Sequence, residues 1–194
     1  MILYATKQTI KELNIPMIDE LSGFNKLVST EVIESQKDNK LFEWGIKIFY
    51  FDDRKCVQAV NFASKVTIFI FDIEKEKIKY IGDAIARYLL DIYDKDKKMQ
   101  KTLKQFFEDY PTCTFAKLED RSITATLNHN QLYFADNGNR FYDYIEDGTL
   151  KTRQINKDFN WKQIISLKKD KKVNYIFPAE YFRELLFQKY SENN

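Results

Sequence analysis

Residues 41 to 73 read LFEWGIKIFYFDDRKCVQAVNFASKVTIFIFDI. Three runs of β-branched and aromatic residues, separated only by Asp52-Asp53-Arg54 and by Ala63-Ser64-Lys65, predict three strands. Connections this short join antiparallel neighbours. In the third run Val66, Ile68 and Ile70 share one face while Phe69 and Phe71 share the other, so both faces are apolar. That pattern predicts a central strand with helices covering the sheet.

Working outward, Ile78, Ile81, Ile85, Tyr88, Leu89 and Ile92 recur at helical spacing, with Lys77, Lys79, Asp83 and Arg87 between them, and predict a helix over 76–93. A second helix carries Leu103, Phe106 and Phe107 and ends at Tyr110-Pro111; Thr112 to Lys117 then reads as a strand. Upstream, Ile2 to Ala5 is a short strand, and Thr6 caps a helix over Lys7 to Leu13 that the Asn14-Ile15-Pro16 break closes. Residues 17–40 have no clean period and read as a mobile or irregular excursion. Beyond Asp120, the positions Ile123, Leu127, Asn130 and Phe134 fit a helix capped by Asp120 or Ser122. Asn137-Gly138 and Asp147-Gly148 are turn signals that make 136–158 hairpin-rich, and Val173 to Phe177 leads through Pro178 into a last helix. The expectation is one α+β domain over 1–194. A mainly antiparallel sheet of four or five strands packs against helices, with a C-terminal hairpin and helix extension over 138–194 beyond a possible seam near 137.

Composition narrows the chemistry. The chain of 194 residues has 31 Lys and Arg against 29 Asp and Glu, a net charge of +2, so no overall field advertises nucleic acid. Aromatics at 15% supply enough apolar surface for a core and exclude a disordered chain. One His (His129) and two Cys (Cys56, Cys113) cannot supply a His/Cys zinc site, and both thiols, lying in apolar runs, read as buried and free. No Walker lysine loop or Gly-x-Gly-x-x-Gly is present, so no cofactor is expected. No signal peptide or membrane-length apolar window is present either, so a cytoplasmic protein with no membrane contact is expected. Two basic tracts, Asp94 to Lys104 and Lys168 to Lys172, suit either phosphate contact or a solvated helix end or hairpin tip.

The tract WGIKIFYFDDRKC, Trp44 to Cys56, resembles a bacterial domain-of-unknown-function family, number 6933, whose members show a Trp ahead of an Arg-Lys-Cys, then an apolar strand containing Asn and a second strand. FAKLEDRSITATLN, Phe115 to Asn128, resembles the same family's Lys-bearing strand followed by an Arg-Ser helix tract ending in Asn. The resemblance covers roughly residues 1–135, with Ala125 and His129 standing where the pattern has a Gly and an acidic residue. It implies an order of elements and brings no activity with it.

The shared tracts contain Arg54, Lys55 and Arg121, each able to donate to a phosphate or carboxylate, and Arg121-Ser122 could sit at a helix start that favours an anion. The same residues also fit a hairpin turn and local acid partners. Trp44 and its aromatic neighbours interleave with Lys47, Arg54 and Lys55, a mixture that suits either base stacking or ordinary strand packing. Asn128 stands beside His129, the one imidazole. The candidate binding residues are thus Trp44, Arg54, Lys55, Arg121, Ser122 and Asn128, with no catalytic or metal residue assigned. The function expected is a non-enzymatic module that docks on a protein partner as a regulator or inhibitor in a bacterial, phage or mobile-element setting, such as defence, counter-defence or an antitoxin. The alternative is a nucleic-acid-binding protein or a metal-dependent nucleic-acid-acting enzyme that places Arg54, Lys55 and Arg121 on phosphates. For the enzyme, those cations must converge with at least two of Asp52, Asp53, Glu119 and Asp120 in one cleft.

Overall fold

Thr6 sets the first two elements. Extended backbone at Thr6 ends β1 (Ile2–Ala5), and its hydroxyl accepts from Thr9 N at 3.3 Å to start α1 (Lys7–Leu13), which Asn14 closes in the left-handed region at φ 51°. The structure, a computed structural model, describes residues 1–51, 53–136, 141–169 and 172–191. Where an irregular excursion was expected it holds a short 3-10 turn, Ile18–Glu20, and a full helix, α2 (Gly23–Gln36). The buried positions of α2 are Ser29, Val32 and Gln36, so its inward stripe is mostly polar and leaves no apolar period to read.

β2 (Glu43–Phe51), β3 (Arg54–Asn61) and β4 (Thr67–Phe71) pair antiparallel as the opening stretch predicts, with Trp44 opposite Asn61 and Cys56 opposite Phe71. The sheet is nevertheless mixed, which corrects the mainly antiparallel expectation. Its order is β4-β3-β2-β1-β5, where β5 is Thr114–Lys117, and β1 runs parallel to both β2 and β5. The cause lies in α1 and α2: a crossover through helices returns the chain to the end of the sheet it left, which makes the next strand parallel. The order also places β4 at an edge rather than in the centre.

The rest of the chain supplies the cover: α3 (Ile81–Ile92), α4 (Lys97–Asp109), α5 (Arg121–Asp136), a small hairpin β6 (Ile145–Glu146) and β7 (Thr149–Leu150), α6 (Thr152–Lys162), a second hairpin β8 (Ile165–Lys169) and β9 (Lys172–Ile176), and α7 (Pro178–Ser191). The expected 76–93 helix begins as a 3-10 segment, Lys75–Tyr80, and becomes α-helical at Ile81. One sheet face, with Leu3, Trp44, Ile46 and Ile68, packs on Ile85 and Leu89 of α3, Leu103 and Phe106 of α4 and Phe182 of α7. Across the sheet, Val60 and Phe62 meet Ile123 and Leu127 of α5, while Phe49, Cys56 and Phe69 meet Ile155 and Phe159 of α6. The last helix is therefore built into the main core. Asp147-Gly148 makes the expected tight turn, both residues at positive φ (49° and 71°). The Asn137-Gly138 turn, the possible seam near 137, Asp52 and the tip of the Lys168–Lys172 tract lie outside the described residues. Cys56 and Cys113 are free thiols. Among the described residues no helix is long and apolar enough to cross a membrane.

β4 can be apolar on both faces at an edge because α6 seals it. Asn160 Oδ1 accepts from Thr67 N at 2.8 Å while its Nδ2 donates to Thr67 O at 2.7 Å; Asn156 does the same for Phe69, at 2.7 and 3.0 Å. Two amides one helical turn apart thus stand in for a sixth strand, and both are fully buried. This also explains why α6 is missing from the sequence expectation: half of its buried face is asparagine.

Candidate binding groove

The placement of α5 organises both candidate sites. Gly45 in β2 lets the helix approach, and Asp120 starts it, its Oδ1 accepting from Ile123 N at 2.8 Å and its carbonyl accepting from the Thr124 hydroxyl at 2.8 Å. The cap is thus Asp120, of the two residues expected. Its carboxylate already occupies the positive end of the helix, the place where an anion beside Arg121 and Ser122 would have to sit.

The six sequence candidates do not assemble into one place. Trp44 is completely buried against Phe182, so it packs the core and cannot stack on a base. Arg54 is tied to Asp72 beyond β4, and Lys55 lies beside it at the β2–β3 turn. Arg121 and Ser122 stand at the opposite end of the sheet, since α5 begins over Gly45 and Val60; the strand length of β3 puts more than about 20 Å between the two groups. Asn128 faces β2, where Lys47 Nζ donates to its Oδ1 at 2.6 Å. Of the acids, Glu119 pairs with Lys117 and Asp120 caps α5. Among the described residues no three carboxylate, imidazole or thiol side chains converge. Of the six, only Ser122 lines the main cavity.

That cavity is a groove of about 900 Å³ between the β3–β4 turn, α5, β8 and α7. Ser122, Thr126 and His129 form its α5 wall, Phe62 and Leu185 supply apolar surface, and Tyr175 of β9 stands on the rim, 77% exposed. Lys40 and Lys65 bring two amines to it. Lys65 is left-handed at φ 63°, only 9% exposed, and donates to the Phe62 carbonyl at 3.1 Å; no acid forms an ion pair with it among the described residues. Burial pushes its ammonium down to about 8, opposed by Asp120 and assisted by Lys40. Neither lysine was a sequence candidate. Lys65 sits in what reads as a connector, and nothing in the local sequence says that a turn, two helices and a distant hairpin will enclose it.

The Lys65 shift has a consequence for stability. Its folded value lies below the 10.5 of an unperturbed lysine, so between the two the unfolded chain binds more protons and stability climbs with pH. Urea unfolding of the protein from pH 7 to 10.5 should show that climb beginning near 8, relative to a Lys65→Met variant that lacks it. Superimposable pH profiles would mean that the amine is solvated.

Comparison with curated proteins returned no match to this chain. A family model does match, and it runs well past residue 135, the limit of the resemblance seen in the sequence, through α6 and the β8–β9 hairpin to the first turn of α7. The groove walls, including the residues contributed by β8, β9 and Tyr181, thus fall within the matched region except for Leu185, which lies just beyond it. The chain belongs to the family described as Domain of unknown function (DUF6933), whose model matches residues 2–181.

Proposed function

We propose that the chain is a binding module that docks on a protein partner, and that the groove takes an extended acidic segment of that partner. The observation that carries this reading is the groove itself: open, partly apolar, and supplied with two amines that have no acid partner within ion-pairing distance among the described residues. Its rim continues into an exposed apolar strip on the hairpin, Ile164, Val173 and Tyr175, on a two-stranded unit that a partner would help to cover. The sequence over residues 168–172 holds four lysines and one aspartate, a charge balance that suits an acidic chain. A partner carboxylate beside Lys65 restores the charged form that burial disfavours, so docking near pH 8 takes up a proton. A module of this kind acts by occupying its partner, as a regulator or inhibitor, and the Lys-, Ile-, Asn-, Phe- and Tyr-rich composition suits a bacterial, phage or mobile-element setting.

Purified from its native host, the full chain should carry a stoichiometric protein, and a carbodiimide should join that protein's carboxylates to Lys40 or Lys65. Tyr175→Ala and Lys65→Met should each weaken retention by about tenfold or more, as loss of an anchor in a docking surface does. A partner held equally well by both variants, or nucleic acid in its place, would overturn the reading.

A further inference from the structure

On the side of α5 turned away from the groove, a second set of polar groups is left incomplete. Lys47 of β2 and Gln58 of β3 are directly opposed in the sheet, which brings their side chains together on the face that α5 covers. Lys47 Nζ donates to Asn128 Oδ1 at 2.6 Å and to Gln131 Oε1 at 3.2 Å, both neutral oxygens, and no carboxylate pairs with it among the described residues. Gln58 is fully buried, and among the described residues neither its amide nitrogen nor its amide oxygen has a hydrogen-bond partner; the Gln131 amide nitrogen is likewise buried without one. A half-buried ammonium without a counter-ion and two buried amide donors without acceptors are costly together, because groups removed from water need replacement partners.

We propose that Lys47, Gln58 and Gln131, with Asn128 at the rim, form a site for a phosphate-type oxyanion. The chemistry of the unmet groups selects the ligand. It must carry negative charge for Lys47, several acceptor oxygens for the Gln58 and Gln131 N–H groups, and one proton to donate to the Gln58 oxygen. Monohydrogen phosphate, or a phosphomonoester in its singly protonated form, meets all three demands. A carboxylate or sulfate ion has no proton to give the Gln58 oxygen, and water brings no charge to Lys47. Asn128 is exposed and Lys47 half-buried, which puts the rim of the site at the outer edge of α5, with Gln58 as its buried floor.

The full chain, freed of phosphate by dialysis, is melted and titrated calorimetrically with inorganic phosphate and with glycerol phosphate, against chloride and sulfate at equal ionic strength. The expected result is a saturable rise in melting temperature with phosphate, its ester or both, and none with chloride or sulfate. Which of the two binds more tightly distinguishes the free ion from an esterified phosphate group. Lys47→Met and Gln58→Met should each reduce the affinity at least tenfold; Gln58→Met keeps the side-chain volume and removes the unpartnered amide, so it should fold at least as well as the parent. Tyr175→Ala should leave the response intact, which separates this site from the groove. No saturable response, an equal response to chloride, or an unchanged one in both Met variants would overturn the proposal and leave the amides to water.

Discussion

Asn156→Leu should lower the unfolding free energy by about 2–6 kcal/mol, because it strands two buried backbone groups of β4, each costing about 1–3 kcal/mol. The groups are the Phe69 N–H and C=O, which the Asn156 amide holds at 2.7 and 3.0 Å. Leucine fills the volume but offers neither donor nor acceptor, so the loss reports hydrogen bonding rather than a cavity. Asn160→Leu should behave alike at Thr67, where the Asn130 amide also donates to the threonine hydroxyl at 2.9 Å. The two substitutions should not add, since Asn160 Nδ2 also donates to the Asn156 carbonyl and both act on one strand. The double variant releases an unprotected apolar edge and should aggregate on expression. Gln154→Ala on the exposed side of the same helix, where the amide donates to Asp158, provides the control and should cost less than about 0.5 kcal/mol. Urea midpoints of the single variants and the control test this, and a loss below about 1 kcal/mol at both asparagines would mean that β4 is held by packing alone.

That seal also marks where sequence reading stops. The β2–β3–β4 meander, α1 with its Thr6 and Asn14 ends, the Tyr110-Pro111 stop and the Asp120 cap are all written locally, because turn and cap chemistry acts over a few residues. α2 and α6 are not legible, and for one reason: their inward faces use Ser29, Gln36, Asn156 and Asn160, so the apolar period that reveals a helix is interrupted. Losing α2 loses the parallel pairing of β1, and losing α6 makes an edge strand look central. The candidate site suffers differently. Trp44 and Arg54 alternate with neighbours as binding residues would, but alternation is equally the pattern of a strand whose Trp faces the core and whose Arg meets Asp72. The groove draws its walls from residues between Lys40 and Leu185, and only the tertiary fold brings them together.

Gly45→Ala tests how both sites depend on one contact. A glycine in the middle of a central strand, between Tyr4 and Val60, is unfavourable unless something needs its bare Cα. Here a Cβ would lie 2.3 Å from Ile123 Cγ2, far inside contact distance, with Leu127 and Phe62 closing the remaining space at 3.5 and 3.6 Å. α5 must therefore lift, and overpacking of this kind costs about 1–3 kcal/mol. Ile123→Ala alone should cost about 2–5 kcal/mol through the cavity it leaves. In the double variant the new methyl group enters that cavity, so the combined loss should fall short of the sum by about 1–2 kcal/mol. Additive losses would show that the strain is absorbed elsewhere. Because Ser122, Thr126 and His129 line the groove from one side of α5 while Asn128 and Gln131 meet Lys47 from another, lifting the helix should weaken partner docking and the phosphate response together. Restoring both in the Gly45→Ala, Ile123→Ala double variant would tie the two sites to the seating of a single helix.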